Sequence, residues 1–125
     1  MGTYARMFGI GSEVGIEIDG EGLGFIPSPK WKEAVKHDRW YVGDTYHLSI
    51  GQGDLLVTPL QMLKMIASIA NQGRIVQLHV TPQDSPIVTN LPIAKKHFVT
   101  VAKGLREAVL SGSARSLSDL PVSTA

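Results

Sequence analysis

A chain of 125 residues can build one modest core and no more than one domain. Hydrophobic residues make up 43% of it and charged residues 18%, and twelve basic against eleven acidic side chains leave a formal net charge of +1. That balance excludes bulk disorder and offers no electrostatic footprint for nucleic acid or an anionic membrane surface, while the absence of cysteine excludes disulfides, thiolate metal sites and cysteine nucleophiles.

The first half is rich in glycine. Gly9, Gly11, Gly15, Gly20, Gly22 and Gly24 are followed by Pro27 and Pro29, which suits a long Gly/Pro-rich loop region better than a packed layer. Within it, Val14 to Ile18 alternates as a short strand or extended loop does. Ser28 as cap and Pro29 in the first turn predict a short helix running through Trp31 and Ala34 towards His37. The clearest element is a helix over residues 59–72. Thr58 caps it, Pro59 fits its first position, Gln61 completes a capping box, and Gly73 offers a left-handed stop. Leu60, Leu63, Ile66 and Ile69-Ala70 recur at intervals of three and four, with Met62 and Met65 widening the stripe. Burial of that stripe is expected, with only Lys64, Ser68, Asn71 and Gln72 meeting water. The stretch is too interrupted for a membrane span, which needs about 20 apolar residues.

Arg74 to Val80 reads as a strand, and Thr81 to Pro92 as a loop with three prolines. A second main helix is expected over residues 93–110, with Phe98, Val101, Ala102, Leu105 and Val109 inward and Lys95, Lys103, Arg106 and Glu107 outward. Gly112 is its expected stop. The Ser/Thr-rich tail from Ser113 to Ala125 has Leu117, Leu120 and Val122 as apolar anchors. Met1 to Gly11 lacks the basic-then-apolar order of a signal peptide, so the chain as written is expected to carry neither an export signal nor a transmembrane segment.

Serine-based acyl transfer needs a nucleophile, a base beside it and donors for the oxyanion. None of the ten serines has a lysine three positions later, no Ser-x-Asn triplet occurs, and Lys-Thr/Ser-Gly is absent. His37, His47, His79 and His97 fall in different elements without ligand spacing, so no metal site is expected. Asp44 and His47 lie close in sequence but lack a third partner, and a hydrogen-bonded loop explains them. Asp19 and Glu21 resemble half of a calcium loop without its other ligands, and turn chemistry accounts for them better. Gly51-Gln52-Gly53 lacks the Lys and Ser/Thr of a phosphate-binding loop. Trp31, Trp40 and Tyr41 are expected to anchor the loop region rather than stack on a ligand. No catalytic, cofactor-binding or metal-binding residue is assigned.

Gly43-Asp44-Thr45-Tyr46-His47-Leu48-Ser49-Ile50-Gly51-Gln52-Gly53, followed after four residues by Thr58-Pro59-Leu60-Gln61, resembles a hallmark of class B penicillin-binding proteins, of the elongation type (penicillin-binding protein 2-like). Tyr4 to Gly11, Gly22 to Pro27, Trp31-Lys32, Gly104 to Val109 and Gly112-Ser113-Ala114 extend the resemblance in colinear order. His47 departs from it, since the family usually has Asn there. The resemblance implies an α/β (α+β) fragment of the transpeptidase fold shared with serine β-lactamases. It places residues 1–125 as a partial transpeptidase domain between the second motif, Ser-x-Asn, and the third, Lys-Thr/Ser-Gly, with Leu120 to Ala125 as the run-in to the latter. For the parent it implies penicillin binding and D,D-transpeptidation of peptidoglycan stem peptides on the periplasmic side of the inner membrane, without a cofactor. The chain itself is expected to be inactive and to self-associate through exposed apolar helix faces. The alternative is a non-catalytic module or truncated product that pairs with cell-wall proteins.

Overall fold

The computed structural model describes residues 2–82 and 85–120. Five α-helices and a two-stranded sheet follow in the order α1 (Gly2–Met7), α2 (Pro29–Lys36), α3 (Val42–Ser49), α4 (Pro59–Ala70), β1 (Arg74–Val76), β2 (Val88–Asn90) and α5 (Lys95–Leu110), with a 3-10 turn at Arg115–Leu117. The helix starts foreseen at Ser28 and Thr58 carry the expected caps. Ser28 Oγ accepts from the Trp31 amide at 3.2 Å; Thr58 Oγ1 accepts from the Gln61 amide at 3.2 Å while Gln61 Oε1 accepts from the Thr58 amide at 3.1 Å.

β1 and β2 run antiparallel, with Arg74 opposite Asn90 and Val76 opposite Val88. The strand expected to reach Val80 ends at Val76, because its partner is only three residues long and Pro86 precedes it. β2 itself lies in the stretch expected to be loop. Val14 to Ile18 forms no strand: Gly15 turns at φ 81°, residues 17 and 18 bend, and side chains hold Val14, Gly15 and Ile16. The Phe25 and Leu56 backbones form an isolated bridge with bonds of 2.7 and 2.9 Å, tying the loop region to the approach to α4.

Residues 42–49 are helical, although the sequence suggested a loop there. The Asp44 carboxylate accepts from the Tyr41 amide at 2.7 Å and so satisfies a free donor at the helix start. α4 ends at Ala70. Gly73 has φ 92°, the left-handed stop expected of it, and a Cβ there would lie 2.6 Å from the Phe98 ring.

The core is small: Ile10, Val14, Ile26, Phe98 and Val109 are the buried apolar side chains among the described residues. Phe98 meets Phe8 edge-on at 6.3 Å between centroids, joining α5 to the end of α1. The facing of α4 is only partly the expected one: Leu60, Met65 and Ile69 are half-buried and Asn71 and Gln72 exposed, as expected, but Ser68 is turned inwards and Leu63 and Ile66 outwards. Gln61 and Ser68 are 0% and 1% exposed, whereas Leu63 and Ile66 are 53% and 51% exposed. The cause is polar. α4 lies over loop backbone whose carbonyls need partners, and the Gln61 amide supplies them at Ser12 (2.7 Å) and Leu23 (2.8 Å). On α5, likewise, only Phe98 and Val109 of the expected inner face are buried; Val101, Ala102 and Leu105 are exposed. Leu117 and Leu120 are exposed rather than anchored, and Val122 lies outside the described residues, as do 121–125 of the expected run-in.

Candidate functional site

Lys64 and Ser68 stand four residues apart on α4. Their side chains serve different partners: Ser68 Oγ donates to the Lys64 carbonyl at 2.6 Å, and Lys64 Nζ donates to the Val14 carbonyl at 3.3 Å. A hydroxyl bonded back to its own helix and shut from solvent has no proton acceptor positioned to activate it.

Asp44 finds Lys32. Lys32 Nζ lies 2.8 Å from Asp44 Oδ2 and 3.2 Å from Asp38 Oδ2, and sits 4.8 Å from the centre of the Tyr41 ring. The hydrogen bond from Lys32, then the Tyr41 amide, hold the Asp44 carboxyl below its ordinary range, and His47 adds a smaller electrostatic contribution in the same direction. Desolvation pushes the Asp38 carboxyl up, but bonds from Lys32 and the Tyr41 hydroxyl outweigh it and leave the group lowered. Lys32 is raised, chiefly by Asp44. The cluster is an ion-paired staple between α2 and the start of α3, and sequence reasoning missed its centre, Lys32.

Trp31, Trp40 and Tyr41 are anchors, as expected. Trp31 packs on Phe25 at 4.8 Å between centroids with Lys36 over its ring, and Trp40 Nε1 donates to Thr45 Oγ1 at 2.8 Å. The Gly51 and Gln52 amides turn back to the Leu48 and His47 carbonyls at 3.2 and 2.8 Å, so they present no phosphate cradle. Glu21 takes three backbone amides, while Asp19 is exposed. His79 Nδ1 lies 2.6 Å from the Thr81 carbonyl, His37 caps α2 at φ 53°, and His97 borders an apolar groove. Among the described residues no group of three or more His, Asp or Glu is placed to hold a metal ion, and no helix is long and apolar enough to cross a membrane. The groove, of about 500 Å³, is lined by Tyr4, Phe8, Ile69, Ile93, Phe98 and Val101 between α1, α4 and α5.

The family model of the penicillin-binding protein transpeptidase domain matches residues 1–123. The peptidoglycan D,D-transpeptidase MrdA of Acinetobacter baumannii is 33% identical over 94% of this chain, and that of Salmonella typhimurium 36% identical over 72%. The chain spans only 19% and 14% of those two relatives. In structure it is similar to PBP2 of Pseudomonas aeruginosa, at a TM-score of 0.80 and 27% identity over 98% of this chain and 30% of that one. It is also similar to PBP2 of Helicobacter pylori solved with MreC, at a TM-score of 0.73 and 31% identity over 82% of this chain and 20% of that one. The helices and small sheet are thus an α/β portion of the transpeptidase fold, and the chain belongs to the penicillin-binding protein transpeptidase family, on its PBP2-like branch.

Proposed function

We propose that the chain is framework of a penicillin-binding D,D-transpeptidase, the stretch between its Ser-x-Asn and Lys-Thr/Ser-Gly motifs, and that it performs no acyl transfer on its own. The observation that carries this is the family match across residues 1–123 of a sequence in which no serine has a lysine three positions on. In the longer relatives, stem-peptide cross-linking and β-lactam acylation need the serine nucleophile and its lysine on a helix. This chain's share is positional: α4 and α5 offer broad apolar faces for neighbouring layers, and α2 and α3 are stapled through Lys32. The setting for that work is the periplasmic face of the inner membrane, in cell-wall and cell-shape synthesis. Incubation of the purified chain with a fluorescent penicillin tests the reading. No covalent label is expected on denaturing gels; a label that survives denaturation overturns it.

A second property follows from the exposed side chains Met62, Leu63 and Ile66 on α4 and Val101 and Leu105 on α5. Apolar faces of this breadth are sticky in water, so the isolated chain self-associates through them.

A further inference from the structure

Val14, Gly15 and Ile16 present three consecutive backbone N–H groups to a single carboxylate. The Val14 amide donates to Glu21 Oε2 at 2.6 Å, and the Gly15 and Ile16 amides to Oε1 at 2.8 and 2.7 Å. Successive amides converging on one point make an anion-binding concavity, and here the anion comes from the same loop. The carbonyl side of the segment is held by groups that keep one charge state through the acid range. Gln77 Nε2 donates to the Val14 and Gly15 carbonyls at 3.0 and 2.6 Å, Lys64 Nζ to the Val14 carbonyl, and Gln61 Nε2 to the Ser12 and Leu23 carbonyls at either end. Lys64 is the charged group that α4 turns towards this point, and β1 is followed at once by the neutral Gln77. On the loop itself, Glu17 accepts from the Val80 amide and the Thr81 hydroxyl, while Glu13 and Asp19 are exposed.

We infer that residues 12–24 form a proton-released latch, in which ionised Glu21 closes the loop on itself by gathering the Val14, Gly15 and Ile16 amides, and protonated Glu21 releases those amides while α4 stays folded. A neutral carboxyl group accepts hydrogen bonds about half as strongly as a carboxylate and brings its own proton, which has no acceptor among these amides. Desolvation pushes the Glu21 carboxyl up, but the three amides together with Lys64 outweigh it and hold the group below its ordinary value. The latch is therefore fully closed above the usual glutamate range and opens as pH falls through the lowered value.

Amide hydrogen exchange on the whole chain, read as protection factors, tests this. In the native sequence, protection at Val14, Gly15 and Ile16 falls on the order of tenfold as pH drops from neutral through the lowered Glu21 value, with α4 amides from Leu63 to Ile69 still protected. Glu21→Gln shows the same local loss already at neutral pH, and added acetate restores protection in Glu21→Ala by refilling the concavity. Unchanged protection in Glu21→Gln overturns the latch, as does loss in the native chain that runs in step with α4. Should the variants fail to fold, the native titration decides between these outcomes.

Discussion

Gln61 ties the start of α4 to two distant stretches of the loop region. Its amide caps α4 and also bonds carbonyls 38 and 49 positions away, and it is fully buried. Thr58-x-x-Gln61 made the capping box legible in the sequence. The two distant bonds were not, because local spacing carries no information about which loop will lie over the helix. Gln61→Leu strands the Ser12 and Leu23 carbonyls and removes a cap, and at about 1–3 kcal/mol for a buried unpaired group it is expected to cost at least about 3 kcal/mol in urea unfolding. Ser68, equally buried, donates only to its own helix, so Ser68→Ala is expected to change stability by less than about 1 kcal/mol. Gly24 stands at φ 61° with a built Cβ only 2.7 Å from the Leu56 carbonyl oxygen and 2.6 Å from Gln61 Oε1. Gly24→Ala therefore combines backbone strain with displacement of Gln61, and a loss above about 1 kcal/mol is expected by the same measurement. The Lys32 staple makes a prediction in pH. Asp44 and Asp38 are lowered, so their contribution is present above the ordinary aspartate value and disappears as pH falls through the lowered values. Lys32 is raised, so its contribution is present below the ordinary lysine value and is lost only in strong alkali. Asp44→Asn is expected to flatten the acid limb of the stability curve, and an unaltered limb would remove the staple from the explanation.

At the scale of elements, the sequence located α2 and α4 through their caps, and α4 and α5 through three-to-four spacing. It missed α3, where Gly43 and the polar Asp44, Thr45 and His47 blur the apolar spacing, and where the start is capped by Asp44 from inside the helix. It also missed β2, a short strand between Pro86 and Pro92 that owes its existence to β1 alongside. The facing of α4 was foreseen for Leu60, Met65, Ile69, Asn71 and Gln72 but not for Leu63, Ile66 and Ser68. Periodicity tells which residues share a face; which face is covered depends on the layers at hand, and here the loop carbonyls drew the polar side. Thr58→Ala is expected to cost about 1 kcal/mol through the lost cap. Leu63→Lys with Ile66→Lys is expected to leave unfolding within about 1 kcal/mol, since both positions are more than half exposed, while weakening self-association. A double variant that unfolds would show that those side chains are covered in the monomer.

For the whole molecule, the family was legible from the run Gly43 to Gln61, because that pattern is long and its spacing fixed, and the family model then matched residues 1–123. The size of the core was not legible. Composition promised enough apolar residues for one, yet buried apolar side chains are few among the described residues, and Val42 and Tyr46 of α3, Leu63 and Ile66 of α4 and Leu105 and Leu110 of α5 stand in solvent. Such a distribution fits a portion of a fold whose remaining layers, in relatives more than five times as long, would take those faces. Sedimentation equilibrium paired with a thermal melt of the isolated chain tests this most directly. Framework with uncovered faces predicts concentration-dependent association and a shallow transition; a monomer that melts in one sharp, cooperative transition would contradict it.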